Sequence, residues 1–422
     1  MIITSKDFDK QPFWFTAINK AWRSSYFLGT KIRLDKDSLI RAARRSTGFQ
    51  DLGKEFNEEP LDRMLWSVEN EANLHPFGRF ITRTRLKGLL ETRLRAEDYF
   101  KKHPEILDRP LYPAWVIVGL QRTGTTKLHR LLAADPDHRV MPSWENLNPL
   151  PLSGTEDDPQ GIVNRMKMAN TAARSLKLIS PGFYAIHPIE VSQPEEDILL
   201  LDVSFMSTTA EAMMHVPSYA SWLETVDQSP AYAYYVKLLK LLQWLRPAKR
   251  WVLKTPHHLE FLDLIERHFD QVHFVWPHRS IYESVPSFLS MVSFNRKVFS
   301  HDVDPHQVGA HWIRKTGYML DKALAFRRQP GKEKLFIDLF YKDLVRSPIH
   351  ELSRLYSMNG GFSEELSRLF LRTEKENPRQ KYGIHLYSAA DFGISKKEID
   401  AHTHHYQEFI RTLHGKEEKQ IQ

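Results

Sequence analysis

The chain contains no cysteine among its 422 residues, which removes disulfides, thiolate metal sites and a cysteine nucleophile in one step. No stretch approaches the roughly 18 uninterrupted apolar residues of a membrane span. The opening segment Met1–Lys10 carries Lys6, Asp7, Asp9 and Lys10 and has no apolar core of signal-peptide length. Together these absences predict a cytoplasmic protein without a transmembrane segment. Internal repeats and low-complexity tracts are missing too, so a solenoid or a linker-rich architecture is not expected.

What is present is ordinary globular material, with 41% hydrophobic and 26% charged residues. The net charge is +7, and part of it is local. Between Arg79 and Lys102 eight Lys or Arg face three acids, in a pattern that reads as an amphipathic helix with Leu86, Leu89, Leu90 and Leu94 inward. The expected use of that charge is a solvated face on a packed helix, not nucleic-acid binding. Residues 1–105 read as a helical N-terminal region with Trp22, Phe49, Leu65, Trp66 and Phe80 as packing residues. Residues 106–400 read as an α/β domain with a helical insertion over about 152–247, and 401–422 as a C-terminal helix with a polar tail.

The centre of the pattern is W-V-I-V-G-L-Q-R-T-G-T-T-K-L, residues 115–128. A short apolar run, Trp115 to Val118, predicts a strand buried on both faces. A turn follows at Gly119 and Gly124, and then Leu128, Leu131 and Leu132 resume at helical spacing. Strand, glycine-containing turn and helix make an anion cradle, because loop N–H groups converge on the positive end of the helix. A nucleotide-hydrolysing P-loop would read G-x-x-x-x-G-K-[ST]. Here Gly119 and Gly124 keep the spacing, Thr125 replaces the lysine, and the fixed charge sits at Arg122. That exchange argues against ordinary ATP or GTP chemistry and suits a transferring group held without metal.

Three further units repeat the recipe. In W-V-L-K-T-P-H-H, Lys254 emerges at a strand's carboxyl end and Thr255 caps the helix that contains His257 and His258. In V-H-F-V-W-P-H-R-S, Arg279 leaves the strand and Ser287 follows eight positions on, about two helical turns. In K-L-F-I-D-L-F-Y-K-D-L-V-R-S-P a last strand runs into Tyr341, Lys342 and Asp343. Four strand–helix units predict a P-loop-like doubly wound parallel sheet flanked by helices. Glu145 follows Trp144 in a proline-rich passage, a neighbourhood that can raise a carboxyl's pKa and fit it for proton abstraction. The loop with Arg379, Lys381 and His385 is a second anion-site candidate, and Trp144, Phe183, Tyr184, Met213 and Met214 are candidates for an apolar pocket.

These residues resemble the sulfotransferases that use 3′-phosphoadenosine 5′-phosphosulfate (PAPS), in particular the bacterial branch related to the tyrosylprotein and carbohydrate enzymes. The resemblance runs from about Tyr112 to Ser395. Q-R-T-G-T-T at Gln121–Thr126 is similar to the family's 5′-phosphosulfate loop, and Arg279 with Ser287 matches its 3′-phosphate site. F-Y-K-D-L-V-R-S-P is like a later family signature, with Lys342 in place of the usual acid, and R-Q-K-Y-G-I-H-L-Y is similar to the carboxy-terminal loop.

The resemblance implies transfer of a sulfuryl group from PAPS to an acceptor hydroxyl, or an amine, leaving adenosine 3′,5′-bisphosphate and needing no metal. Arg122, Thr123, Gly124, Thr125 and Thr126 are expected to hold the phosphosulfate, with Lys254 assisting. Arg279 and Ser287, joined by Arg379 or Lys381, are expected to bind the 3′-phosphate. Glu145, 23 residues past Arg122, is the expected base, with His187 and His257 in reserve. The acceptor is a small molecule, lipid, sugar or peptide, self-association is left open, and no nucleic acid is expected. The alternatives are a metal-dependent nucleotide kinase or a catalytically silent nucleotide-binding scaffold of the same fold.

Overall fold

The computed structural model describes residues 2–152, 159–357, 361–378 and 384–420. Its centre is a five-stranded parallel sheet. The strands that form it follow β1 (Ile2–Thr4) in the chain: β2 (Ala114–Ile117), β3 (His138–Arg139), β4 (Arg250–Lys254), β5 (Val272–His278) and β6 (Phe336–Phe340), in the spatial order β3-β4-β2-β5-β6. Four of these coincide with the expected strand–helix units. The fifth, β3, is two residues long and lies at the edge, in a passage whose prolines read as irregular. It forms because His138 and Arg139 register against Arg250 and Trp251, a partner supplied by tertiary structure alone.

Alternation along the strands sorts the core into two layers. Trp115, Ile117, Val252, Val275, Ile337 and Leu339 face one side, where they meet Leu128, Leu131 and Leu132 of the helix Thr125–Leu132 together with Leu352, Leu355 and Phe370. Ala114, Val116, Trp251, Leu253, Phe274 and Trp276 face the other, and there a single core continues through the N-terminal helices to Leu39, Leu61 and Leu90. A sheet covered by helices on both faces needs apolar residues at successive positions, which is why β2 reads as an unbroken apolar run.

The basic helix Pro76–Lys102 settles as a packed element. Arg79 is buried and pairs with Glu69, Arg85 reaches Asp202, and the Arg93 guanidinium lies 3.8 Å over the Tyr234 ring. Two of the expected packing residues fall elsewhere: Trp66 is 57% exposed and Phe80 45%. A second, two-stranded parallel sheet pairs β1 with β7 (Ile384–Leu386). Among the described residues no helix is long and apolar enough to cross a membrane.

Candidate functional site

The chain reverses its direction of travel across the sheet around β2, which has β4 on one side and β5 on the other. In open α/β sheets ligands bind at such a switch point, beyond the carboxyl ends of the strands. The loop leaving β2 is anchored at its start by the Val118 N–H, which donates to Val275 O at 2.9 Å. Thr123 Oγ1 donates back to Leu120 O at 2.7 Å. Arg122 and Gly124 both adopt positive φ, 68° and 95°. A side chain at Gly124 would be strained, and its Cβ would lie 2.7 Å from Tyr341 Cδ2. The first intrahelical bond runs from Leu128 N to Gly124 O, so the N–H groups of Thr125, Thr126 and Lys127 have no acceptor within the helix. Folded this way, the loop and helix start make a cradle for an anion.

Over the cradle lies a cavity of about 350 Å³. Gln121, Arg122, Gly124, Thr125 and Thr126 line it from the loop, Arg279 and Tyr341 from the neighbouring strand ends, and His187 and Glu196 from the insertion. The expected loop residues and Arg279 are therefore brought together. Arg122 is half-buried and has no carboxylate partner among the described residues. Its Nε donates instead to Ser287 Oγ at 3.1 Å. Burial lowers the pKa of this guanidinium, and the Arg279 charge adds to that effect, yet arginine stays cationic. Arg279 lies 4.5 Å over the Tyr341 ring, donates to Arg122 O at 2.9 Å and to Glu283 at 2.7 Å. Ser287 itself is 1% exposed behind Arg122. Arg379 and Lys381, the other expected phosphate ligands, lie outside the described residues.

The acceptor side departs from expectation. Glu145 is 1% exposed and is not among the residues that line the cavity. Arg139 donates to its Oε1 at 2.7 Å and Arg246 to its Oε2 at 2.6 Å. Burial pushes its carboxyl up, but the two guanidiniums outweigh burial and hold it below the ordinary carboxylate value. Trp144 does not isolate the acid: the Arg246 guanidinium lies 5.0 Å over the indole ring and brings its charge to the carboxylate. A carboxylate so enclosed is a structural ion cluster and a poor proton acceptor. His257 is likewise 1% exposed, stacks on Tyr232, and has no hydrogen-bond partner among the described residues on either ring nitrogen. Burial above all pushes its pKa well down, which fits a neutral residue of the core. Trp144, Phe183 and Met214 are core as well, at 4, 7 and 2% exposure.

Lys254 does stand at the carboxyl end of β4, beside Ile117 of β2. It is 2% exposed, and its Nζ donates to Glu196 at 2.9 Å. Behind it Asp197 accepts from the Lys254 N–H at 2.6 Å and lies 2.9 Å from His258. Burial pushes its carboxyl up, but the contact with His258 and the hydrogen bonds from Tyr235 and the Lys254 N–H outweigh burial and lower it to about 2. Glu195, Glu196 and Asp197 run together in the sequence just ahead of the helix Ile198–Leu201. Only Asp197 stands at the N-cap position of this short helix, and Glu196 turns into the cavity. The wall formed by the helix Glu364–Glu376 was also missed. Glu374 meets Lys127, and Asn377 accepts from Arg130 at 2.8 Å. No local spacing announces either contact, since both partners lie 247 residues apart.

Comparison with known proteins agrees with this fold. The chain is similar over 88% of its length, and 98% of the other, to the sulfotransferase STF1 from Mycobacterium tuberculosis H37Rv, at 28% identity and a TM-score of 0.73. Sulfotransferase STF9 from Mycobacterium avium shares the fold, with a TM-score of 0.79 at 23% identity over 89% of this chain and 97% of that one. Among curated proteins none matches the chain. The sequence pattern of the Sulfotransferase family matches residues 113–360. That span is more than half of the 422 residues and contains the loop, the cavity's strand ends and the insertion, and on it the chain belongs to the sulfotransferase family.

Proposed function

We propose that this sulfotransferase uses PAPS as its donor and that the cavity above the β2 loop is the transfer site. One observation carries the reading. Arg122 is a half-buried cation held at positive φ with no carboxylate partner among the described residues, in a loop whose residues line the same cavity as the helix start. Such an arrangement costs stability unless an anion completes it. The residues fit the donor: Arg122, Thr125, Thr126 and the N–H groups of Thr123 and Gly124 would hold the 5′-phosphosulfate. Arg279, with Ser287, would take the 3′-phosphate, a role Arg379 and Lys381 would share.

In the transfer, an acceptor oxygen forms a bond to sulfur as the bond from sulfur to the bridging oxygen breaks. By analogy with phosphoryl transfer the transition state is loose and in line, so positioning and charge stabilisation supply most of the catalysis. Arg122 stabilises the charge that grows on the leaving phosphate. Both carboxylates that line the cavity are ion-paired, Glu374 with Lys127 and Glu196 with Lys254. Glu196 stands at the end of β4 beside β2 and its loop, and on that position we assign it to receive the acceptor proton. Lys254 orients Glu196 from behind, and His187 stands at the same wall. We therefore move the base from Glu145 to Glu196.

The test is a thermal-shift titration with adenosine 3′,5′-bisphosphate beside ATP, each with and without Mg²⁺. A ligand at a hundred times its Kd stabilises the fold by about 2.7 kcal/mol. A metal-independent bisphosphate shift that exceeds the ATP shift is expected. A response confined to ATP with Mg²⁺ would sink the donor assignment.

A further inference from the structure

The helix Phe13–Ser24 lies outside the transfer site and buries only a narrow stripe. Phe15, 1% exposed, packs edge-on against His75 and Phe77 at 5.4 and 5.3 Å. Asn19, 3% exposed, accepts from the Phe77 N–H at 2.9 Å. These two contacts fix the helix, yet its apolar arc is much wider than the stripe they use. At about 100° per residue, Phe13, Ala17, Ala21, Trp14 and Ile18 fall within roughly 140° of the surface, and all five are exposed. Phe13 is 87% exposed, Ile18 51% and Trp14 47%. The turn that follows adds Phe27 at 84% and Leu28 at 69%. Phe80, one of the displaced packing residues, sits 6.5 Å from Trp22 beside it.

Large side chains left in water over so wide an arc mark an interaction surface. The charges around them decide its partner. From Lys10 to Leu34 the chain has five basic residues and no Asp or Glu. Lys10, Lys31 and Arg33 have carboxylate neighbours at Asp7, Glu69 and Asp35, whereas Lys20 and Arg23 have none among the described residues. Lys20 and Arg23 flank the Phe13 edge of the apolar arc. An apolar face with Trp and Phe, bordered by cations, is the composition of a helix that lies in the plane of an anionic lipid interface. A second copy of the chain fits less well, because a two-fold contact would set this basic border against itself. We infer that the Phe13–Ser24 helix and the Phe27–Leu28 turn dock the enzyme on an anionic membrane surface, as an interfacial contact without insertion across the bilayer.

The test is sedimentation of the full chain with vesicles of pure phosphatidylcholine and with vesicles containing phosphatidylglycerol, at low and high salt. Binding to the anionic vesicles that weakens with salt is expected. Phe13→Ser with Trp14→Ser and Ile18→Ser should abolish it, and Lys20→Glu with Arg23→Glu should weaken it at least tenfold. All five positions are exposed, and an unchanged thermal shift with adenosine 3′,5′-bisphosphate would establish that each variant is folded. Absence of binding to either vesicle would overturn the inference. So would concentration-dependent self-association, without vesicle binding, that the triple serine variant removes. Equal, salt-independent binding to both vesicles would overturn the anionic part.

Discussion

Arg122 Nε donates to Ser287 Oγ at 3.1 Å, joining two residues 165 positions apart. The loop cation and the serine on the helix after β5 therefore form one connected unit. Arg279 completes it through its bond to the Arg122 carbonyl. A donor bound across this unit would engage both phosphate ends with groups that already touch.

Arg122→Ala should lower kcat by about 10²-fold or more, in the range seen when one preorganised charge-stabilising donor is removed. The thermal midpoint of the variant without ligand should hold or rise, since the mutation removes an uncompensated cation. Ser287→Ala should act more weakly and mainly on the KM for the donor. Steady-state kinetics with the donor varied would separate the two, and full turnover in Arg122→Ala would reject the site.

Glu145 and Glu196 should respond in opposite ways to the same change. Glu145→Gln leaves two guanidiniums without their carboxylate and should cost about 3–5 kcal/mol of stability, with turnover per folded molecule retained. Glu196→Gln leaves Lys254 with a second carboxylate, Glu195 at 3.9 Å, so it should stay folded with a smaller loss of stability and lose turnover by roughly 10²-fold or more. Denaturant melts and activity on the same preparations decide it. Normal turnover in Glu196→Gln would return the search to His187.

His257 makes no hydrogen bond to any described residue through either ring nitrogen. His257→Phe should leave turnover intact and keep or raise the thermal midpoint, because a buried unpaired polar group costs roughly 1–3 kcal/mol. Loss of activity in a folded variant would restore this residue as a base.

Gly124→Ala should disable donor binding. Alanine at a φ of 95° is strained, and its Cβ would lie 2.7 Å from the Tyr341 ring that also supports Arg279. Loss of the bisphosphate thermal shift is the expected reading, and a wild-type shift would show that the loop tolerates a different path.

Stability should fall on mild acidification. Burial above all holds His75 and His129 at about 3 and His385 at about 4, against 6.5 in the unfolded chain. Their contribution is fully present above pH 6.5. Below it the unfolded chain binds more protons than the folded one, and the contribution is lost progressively down to about pH 3. Glu260, raised by burial to about 7, acts in the opposite sense below pH 7, but it is one group against three. The thermal midpoint at pH 5.5 should lie below that at pH 7.5; the reverse would mean that Glu260 dominates.

The sequence by itself determined the central machinery. The apolar run before Gly119 dictates a strand buried on both faces, and the residues that follow dictate a turn and a helix start. Local backbone chemistry makes that cradle, so Arg122, Thr125 and Gly124 were legible with no knowledge of the rest. The same holds for Lys254 and Arg279, which leave strand ends by simple alternation. Tertiary structure decided everything that depends on partners distant in the chain. Glu145 beside Trp144 promises a raised pKa until Arg246, 101 residues away, delivers a guanidinium to it. Glu196 is one acid in a run of three until β4 brings Lys254 under it, and Phe80 reads as core until the fold leaves it at the surface. Spacing along a chain fixes which backbone groups converge, but a carboxylate's proton affinity and a ring's exposure depend on what the fold packs against them.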